Sequence, residues 1–188
     1  MQLPTILIHP NPILRKKAQE IGIKSIRSKP IQNLIEVMKE ILRNSKDGVG
    51  LAAPQIGESL RLFLVSEEAE VIDKNQATQN IKQESESMKQ KKPAWNYYIF
   101  INPVIKKFSA KKIDMTEGCL SVPELYGVVR RPEKIITAWY DENGKKYSRG
   151  FSKFFARVIQ HETDHIDGIL FIDRMHKKLT PEHGSSKL

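Results

Sequence analysis

The 188-residue chain has one cysteine, Cys119, so no disulfide can close within it. A lone thiol suits a reducing compartment, which makes the cytoplasm the expected location. No apolar run approaches the ~20 residues that a membrane-spanning helix needs. The opening Met1 to Leu7 is soon interrupted by Pro10 and Pro12, too short for a signal or membrane segment. Acidic residues are outnumbered, 22 against 31 Lys and Arg, leaving a net charge of +9. The basic pairs Lys106-Lys107, Lys111-Lys112, Arg130-Arg131 and Lys177-Lys178 read first as solvated surface and second as weak docking points for ribosomal RNA. Residues 67–93 hold neither glycine nor an aromatic. Their interleaved Gln, Asn, Lys and Glu predict a mobile or locally helical insertion without a catalytic role. The length suits one domain with a substantial core.

What the chain does have is His161-Glu162-Thr163-Asp164-His165. Residues four apart on a helix project from one face, so both imidazoles can meet one divalent ion while Glu162, about 100° round, stands beside it. Laid out at that angle from Ser152 to Gly168, the residues divide into three faces. Phe154, Val158, His161 and His165 share one; Phe155, Ile159, Glu162 and Ile166 share the next; Lys153, Arg157, Gln160, Asp164 and Asp167 form a polar stripe expected to face solvent. Ser152 suits an N-cap and Gly168 the C′ position. A carboxylate placed among Phe155, Ile159 and Ile166 is costly unless a cation compensates. Core histidines bonded to backbone would leave Glu162 unexplained.

The third ligand has to come from elsewhere. Gly168 lies where the extended metzincin pattern requires it, but position 171 is Phe in place of the histidine. Cys119, in Glu117-Gly118-Cys119-Leu120-Ser121, completes a Cys-His-His set that leaves one coordination position for water. The alternatives are a small buried hydrophobe, or a nucleophile with a histidine base, which gives the second histidine and Glu162 no role. A third segment, Gly48-Val49-Gly50-Leu51-Ala52-Ala53-Pro54-Gln55, permits close backbone approach. It lacks the Gly-Lys-Ser/Thr end of a phosphate loop. Gln55 is its polar group, either a donor into a site or a turn-capping amide.

In order, the three segments resemble the signature motifs of peptide deformylase: Gly-x-Gly-x-Ala-Ala-x-Gln at Gly48 to Gln55, Glu-Gly-Cys-Leu-Ser at Glu117 to Ser121, and Gln-His-Glu-x-x-Asp-His at Gln160 to His165. The resemblance runs from about Leu3 to about Arg174, omitting the insertion, and implies a single catalytic domain over residues 1–188. It implies that Cys119, His161 and His165 hold one divalent ion, commonly ferrous iron, with zinc or nickel as replacements. It further implies that metal-bound hydroxide attacks the formyl carbon of formyl-methionine on new polypeptides, with Glu162 as general base and then acid. Gln55 and the Leu120 backbone N–H would face the oxyanion. Phe154, Val158 and Val49 would receive the methionine side chain, and Gly48, Gly50 and Leu120 would pair with the peptide backbone. Arg157 would guide the peptide from the edge of this surface or stand solvated. Nascent N-formylmethionyl polypeptides are the implied partners, with no membrane and no specific DNA partner. Tyr126 departs from relatives that carry a basic residue there.

Two readings compete with this one. The first is a metallopeptidase cutting internal bonds, disfavoured by Phe171 and the fitting Cys119. The second is a basic RNA-binding module with a structural metal, disfavoured because no fourth ligand accompanies the three.

The expected fold is α+β, with antiparallel sheets packed around a buried C-terminal metal-binding helix and helices at the N-terminal end. Asn11-Pro12 predicts a capped short helix. Apolar residues at 31, 34, 35, 38, 41 and 42 predict a helix over Ile31 to Asn44. Leu60 to Val65, Tyr97 to Ile101 and the Cys119 region read as strands. Lys134 to Tyr140 and Lys145 to Phe151 read as a hairpin through Asn143-Gly144.

Overall fold

The computed structural model describes residues 3–45, 48–72 and 95–179. The insertion expected at 67–93 lies outside them from residue 73 to its end.

Asn11 caps the first 3₁₀ turn, Pro12–Arg15, by accepting a hydrogen bond from Ile13 N, with Pro12 supplying a pre-set φ at the turn's start. Helix α1 spans Lys29–Asn44 and buries Ile35, Met38, Ile41 and Leu42 along one stripe, the spacing that its sequence period dictates.

Eight antiparallel strands form two sheets among the described residues. β1 (Gly50–Ala52), β2 (Leu62–Ser66), β3 (Tyr97–Phe108), β6 (Lys134–Tyr140) and β7 (Lys146–Ser152) make a five-stranded sheet in the order β1-β2-β3-β6-β7. β4 (Lys112–Cys119), β5 (Val122–Pro132) and β8 (Met175–Leu179) make a three-stranded sheet in the order β4-β5-β8. The β6-β7 hairpin closes at Gly144, whose φ of 78° is a conformation that glycine adopts without steric cost. Its register runs from Lys134 opposite Ser152 to Tyr140 opposite Lys146.

Helix α2 (Lys153–Ile166) packs against β1, β2 and β7 on one side and β5 on another. Phe154, Phe155, Val158, Ile159 and Ile166 enter a core shared with Phe63, Val65, Phe100, Trp139 and Phe151. Phe151 and Phe155 stack with centroids 5.2 Å apart, and Phe155 meets Tyr98 edge-on at 5.3 Å. Gly168 follows the helix with φ of 76°, and its Cα faces the backbone of Arg15 so closely that a Cβ would lie 2.6 Å from the Arg15 carbonyl oxygen. Ser152 precedes the helix in extended conformation, but its side chain makes no capping bond.

The structure corrects one face of α2. Lys153 is exposed, but Arg157, Gln160 and Asp164 are buried. The β4-β5 pair covers the stripe expected to meet solvent, and each polar group there finds a partner: Gln160 Nε2 donates to the Pro132 carbonyl at 3.0 Å, and Asp164 accepts from Arg131 and Arg174 at 2.6 Å each. The period located the stripe correctly; pairing with distant residues removed it from water.

Candidate active site

Cys119 ends β4, where the pairing with β5 shifts register after Glu117. His161 and His165 lie one turn apart on α2, their rings 5.0 Å between centroids. Cys119 Sγ is 3.1 Å from His165 Nε2. One ligand atom from each of Cys119, His161 and His165 falls within 4.8 Å of the others, with both histidines buried. Donors around one tetrahedral ion sit about 3.5 Å apart, given bonds of about 2.0 to 2.3 Å. The cluster is therefore of the size and donor type that a single zinc or iron ion takes.

His161 Nδ1 faces Glu117 Oε2 at 3.0 Å, which leaves Nε2 for an ion. Glu117 is wholly buried and also accepts from Arg131 Nε at 2.7 Å, Arg131 Nη2 at 2.9 Å and Arg157 Nη1 at 2.9 Å. Burial alone would raise its pKa; the hydrogen bonds from Arg131 and His161 outweigh that and hold the carboxyl well below the usual range. Burial also disfavours the charged form of His161, but its contacts with Cys119 and Glu117 raise its pKa well above 6.5. His165 is pushed well below 6.5 by burial and by the neighbouring His161, which outweigh the raising effect of Glu117.

Glu162 is 4% exposed, and its Oε2 has no hydrogen-bond partner among the described residues; the same is true of His165 Nδ1. Burial raises the Glu162 pKa to about 7, against the lowering effect of His161. An unpaired buried carboxylate costs several kcal/mol in an apolar setting. Here it stands beside donors that fit a cation.

Gln55 is 2% exposed. Its Oε1 accepts from Ala52 N at 2.8 Å, capping the short turn Ala53–Ile56, while Nε2 donates to Ser121 Oγ at 3.2 Å and lies 3.6 Å from Cys119 Sγ. Gly50, Gln55, Gly118, Cys119, Leu120, Val158, His161 and Glu162 line one small recess. Gly50 must lack a side chain here: a Cβ would overlap Glu162 Oε1 and lie 2.9 Å from its Cδ. Gly118 is covered by the Tyr126 ring, whose Cε1 would be 2.7 Å from such a Cβ. Gly48 and Val49 are buried just before β1. Phe154 and Val49 sit in the core with Val158 and do not line the recess. A larger cleft of about 650 Å³ opens beyond Gln160 and Asp164, and none of the three clustered ligands lines it.

Arg157 requires correction. It is 1% exposed, the largest fully buried side chain, and reaches Glu117 and the carbonyls of Val129 and Ile113 in the interior of the protein. It neither edges a peptide surface nor stands solvated. Arg131 is likewise 4% exposed and paired, so the Arg130-Arg131 pair does not present two cations to a partner.

Glu117, Arg131 and Ser121 are partners of the site that the motifs alone do not mark out. The available signal was the need of a ligating histidine for an acceptor at its other nitrogen.

The family model for polypeptide deformylase matches residues 3–180. The chain belongs to the polypeptide deformylase family. A peptide deformylase of Leptospira biflexa is 37% identical over 175 residues, covering 93% of this chain and 89% of that one. The chloroplastic/mitochondrial peptide deformylase 1A of Arabidopsis thaliana is 36% identical over 175 residues and 93% of this chain, which spans 62% of that relative's length. Among solved structures, a plant peptide deformylase superposes with a TM-score of 0.75 at 31% identity, covering 93% of this chain and 82% of the other. An Acinetobacter baumannii peptide deformylase with Met-Ala-Ser bound gives 0.73 at 29% identity, covering 93% and 99%. The antiparallel sheets and the C-terminal helix are those of peptide deformylases.

Proposed function

We propose that this chain is a metal-dependent peptide deformylase, acting as one catalytic domain on the N-formyl-methionine of newly made polypeptides. The observation that carries this reading is the convergence of Cys119, His161 and His165 within 4.8 Å, next to the buried Glu162, whose Oε2 has no hydrogen-bond partner among the described residues. Those three residues would hold the ion, ferrous in the cell, with zinc or nickel able to replace it. A divalent ion there supplies Lewis acidity, acidifying a water molecule and polarising the formyl oxygen.

Glu162 takes a proton from the attacking water and delivers it to the departing amine as the formyl C–N bond breaks, giving formate and a free amino terminus. A carboxyl poised near neutrality suits both directions of transfer. Gln55 Nε2 and the Leu120 backbone N–H donate to the oxyanion, each such donor being worth roughly 3 kcal/mol in comparable sites. Glu117 orients His161 through Nδ1.

The peptide lies along β1, which is the edge strand of the five-stranded sheet, with Gly48, Gly50 and Leu120 pairing its backbone. Val158 lines the recess and receives the methionine side chain, with Val49 and Phe154 packed in the adjoining core as its support. The Met-Ala-Ser peptide bound to the A. baumannii relative agrees with a product of this kind. No helix of the described residues is long and apolar enough to cross a membrane; we place the enzyme in the cytoplasm, with weak ribosome contact through the remaining basic pairs.

The test is a formyl-Met-Ala peptide incubated with the metal-loaded chain. Formate release at the rate of peptide loss, abolished in Glu162→Gln with the metal still bound, is the expected result. Internal peptide fragments would replace this reading with a peptidase, and binding without turnover would replace it with a non-catalytic module.

A further inference from the structure

Arg157 lies on α2 one turn before His161, but its acceptors belong to the other side of the site. Nη1 donates to Glu117 Oε1 at 2.9 Å and to the Val129 carbonyl at 2.8 Å; Nη2 donates to the Ile113 carbonyl at 2.7 Å. Ile113 and Glu117 are on β4 and Val129 is on β5. One planar group thus fastens the helix that carries both imidazoles directly to the strand that carries Cys119.

Charge neutralisation alone does not account for this side chain. Glu117 already receives two hydrogen bonds from Arg131, which also pairs with Asp164. A second buried guanidinium against the same carboxylate carries a large desolvation cost, and an aliphatic residue would fill the space without it. What the arginine adds is direction. Its fork braces Glu117 Oε1 from the helix side while Oε2 is held against His161 Nδ1 at 3.0 Å.

We propose that Arg157 is a positioning residue of the metal centre, fixing the ring orientation of His161 through Glu117, with the Ile113 and Val129 carbonyls anchoring its guanidinium for that contact. This rests on the metal-site reading above. Removing an outer partner of a ligating histidine typically costs 10- to 100-fold in metal affinity.

The test is titration of the metal-free chain with cobalt(II) chloride, following the sulfur-to-cobalt absorption and the dissociation constant, with far-UV circular dichroism as a check on folding. Arg157→Lys keeps the charge but cannot span the three acceptors. It is expected to fold, to bind cobalt at least 10-fold more weakly, and to show an altered sulfur-to-cobalt band. Combining it with Glu117→Gln is expected to add less than the sum of the single losses. Cobalt affinity within twofold of wild type in folded Arg157→Lys would overturn the proposal, as would full additivity. If Arg157→Lys does not fold, Glu117→Gln carries the test, since undiminished affinity there removes the route by which Arg157 acts. Wild-type chain that binds no cobalt would instead defeat the metal-site reading itself.

Discussion

Glu162 combines burial on an apolar helix face, an unpaired oxygen and a neighbour without a side chain. Its raised pKa works against folding in the metal-free chain. The folded state favours the protonated carboxyl, so the penalty is absent below the ordinary value of 4.5 and is full once pH has risen through about 7. Glu162→Gln removes the group that must ionise. The thermal midpoint of metal-free Glu162→Gln should exceed that of wild type at pH 8, by an amount on the order of 2 kcal/mol in stability, and approach it at pH 5; a lower midpoint at pH 8 would contradict the account. On the proposed mechanism the same substitution should also abolish formate release, so that the group would cost stability in exchange for catalysis. Gly50→Ala tests the neighbour. Its methyl would displace Glu162 or Val158, so formate release should fall by at least 10² while circular dichroism and metal content stay near wild type.

Helix α2 is the element whose reading succeeded on two faces and failed on the third. An angular layout at 100° per residue puts both histidines, Glu162, Phe154, Phe155, Val158 and Ile159 inward, because that period is a property of the local backbone. Gly168 was also legible as the residue ending the helix, for only a residue tolerant of positive φ serves there. Gly168→Ala combines that strain with a clash against the Arg15 backbone. It should destabilise the chain by more than about 1 kcal/mol, read as a drop in urea midpoint with activity retained by the folded fraction. The polar face was misjudged because Arg157 pairs 28 to 44 positions away on β4 and β5, and Asp164 pairs with Arg131, 33 positions away on β5, and with Arg174 beyond the helix. Periodicity reports where a polar side chain points, and only tertiary pairing decides whether water is there.

At the scale of the molecule, the five-stranded sheet supplies β1 and the three-stranded sheet supplies Cys119, while α2 packs against strands of both. Three ordered motifs were enough to identify this arrangement because each carries residues from a different element of the site. The buried charges joining the elements were not legible, since Glu117, Arg131, Arg157 and Asp164 meet only once the sheets close over the helix. That network has a pH signature. Glu117 has a folded pKa below its ordinary 4.5, so its contribution to stability is full above that value and is lost as pH falls below it. The thermal midpoint should therefore decline steeply below about pH 4.5, and less steeply in the already weakened Glu117→Gln. Metal uptake has a signature too. Contacts with Cys119 and Glu117 raise the His161 pKa in the metal-free chain, so on the metal-site reading affinity should rise with pH and uptake should liberate protons. The most direct test is formate release from a formyl-Met-Ala peptide, measured against bound-metal stoichiometry in chain stripped by a chelator and reloaded stepwise. The account predicts no release from the stripped chain and a rate that climbs in proportion to metal up to one ion per chain, with no recovery in Cys119→Ala. Full activity in the stripped chain, or in Cys119→Ala, would contradict it.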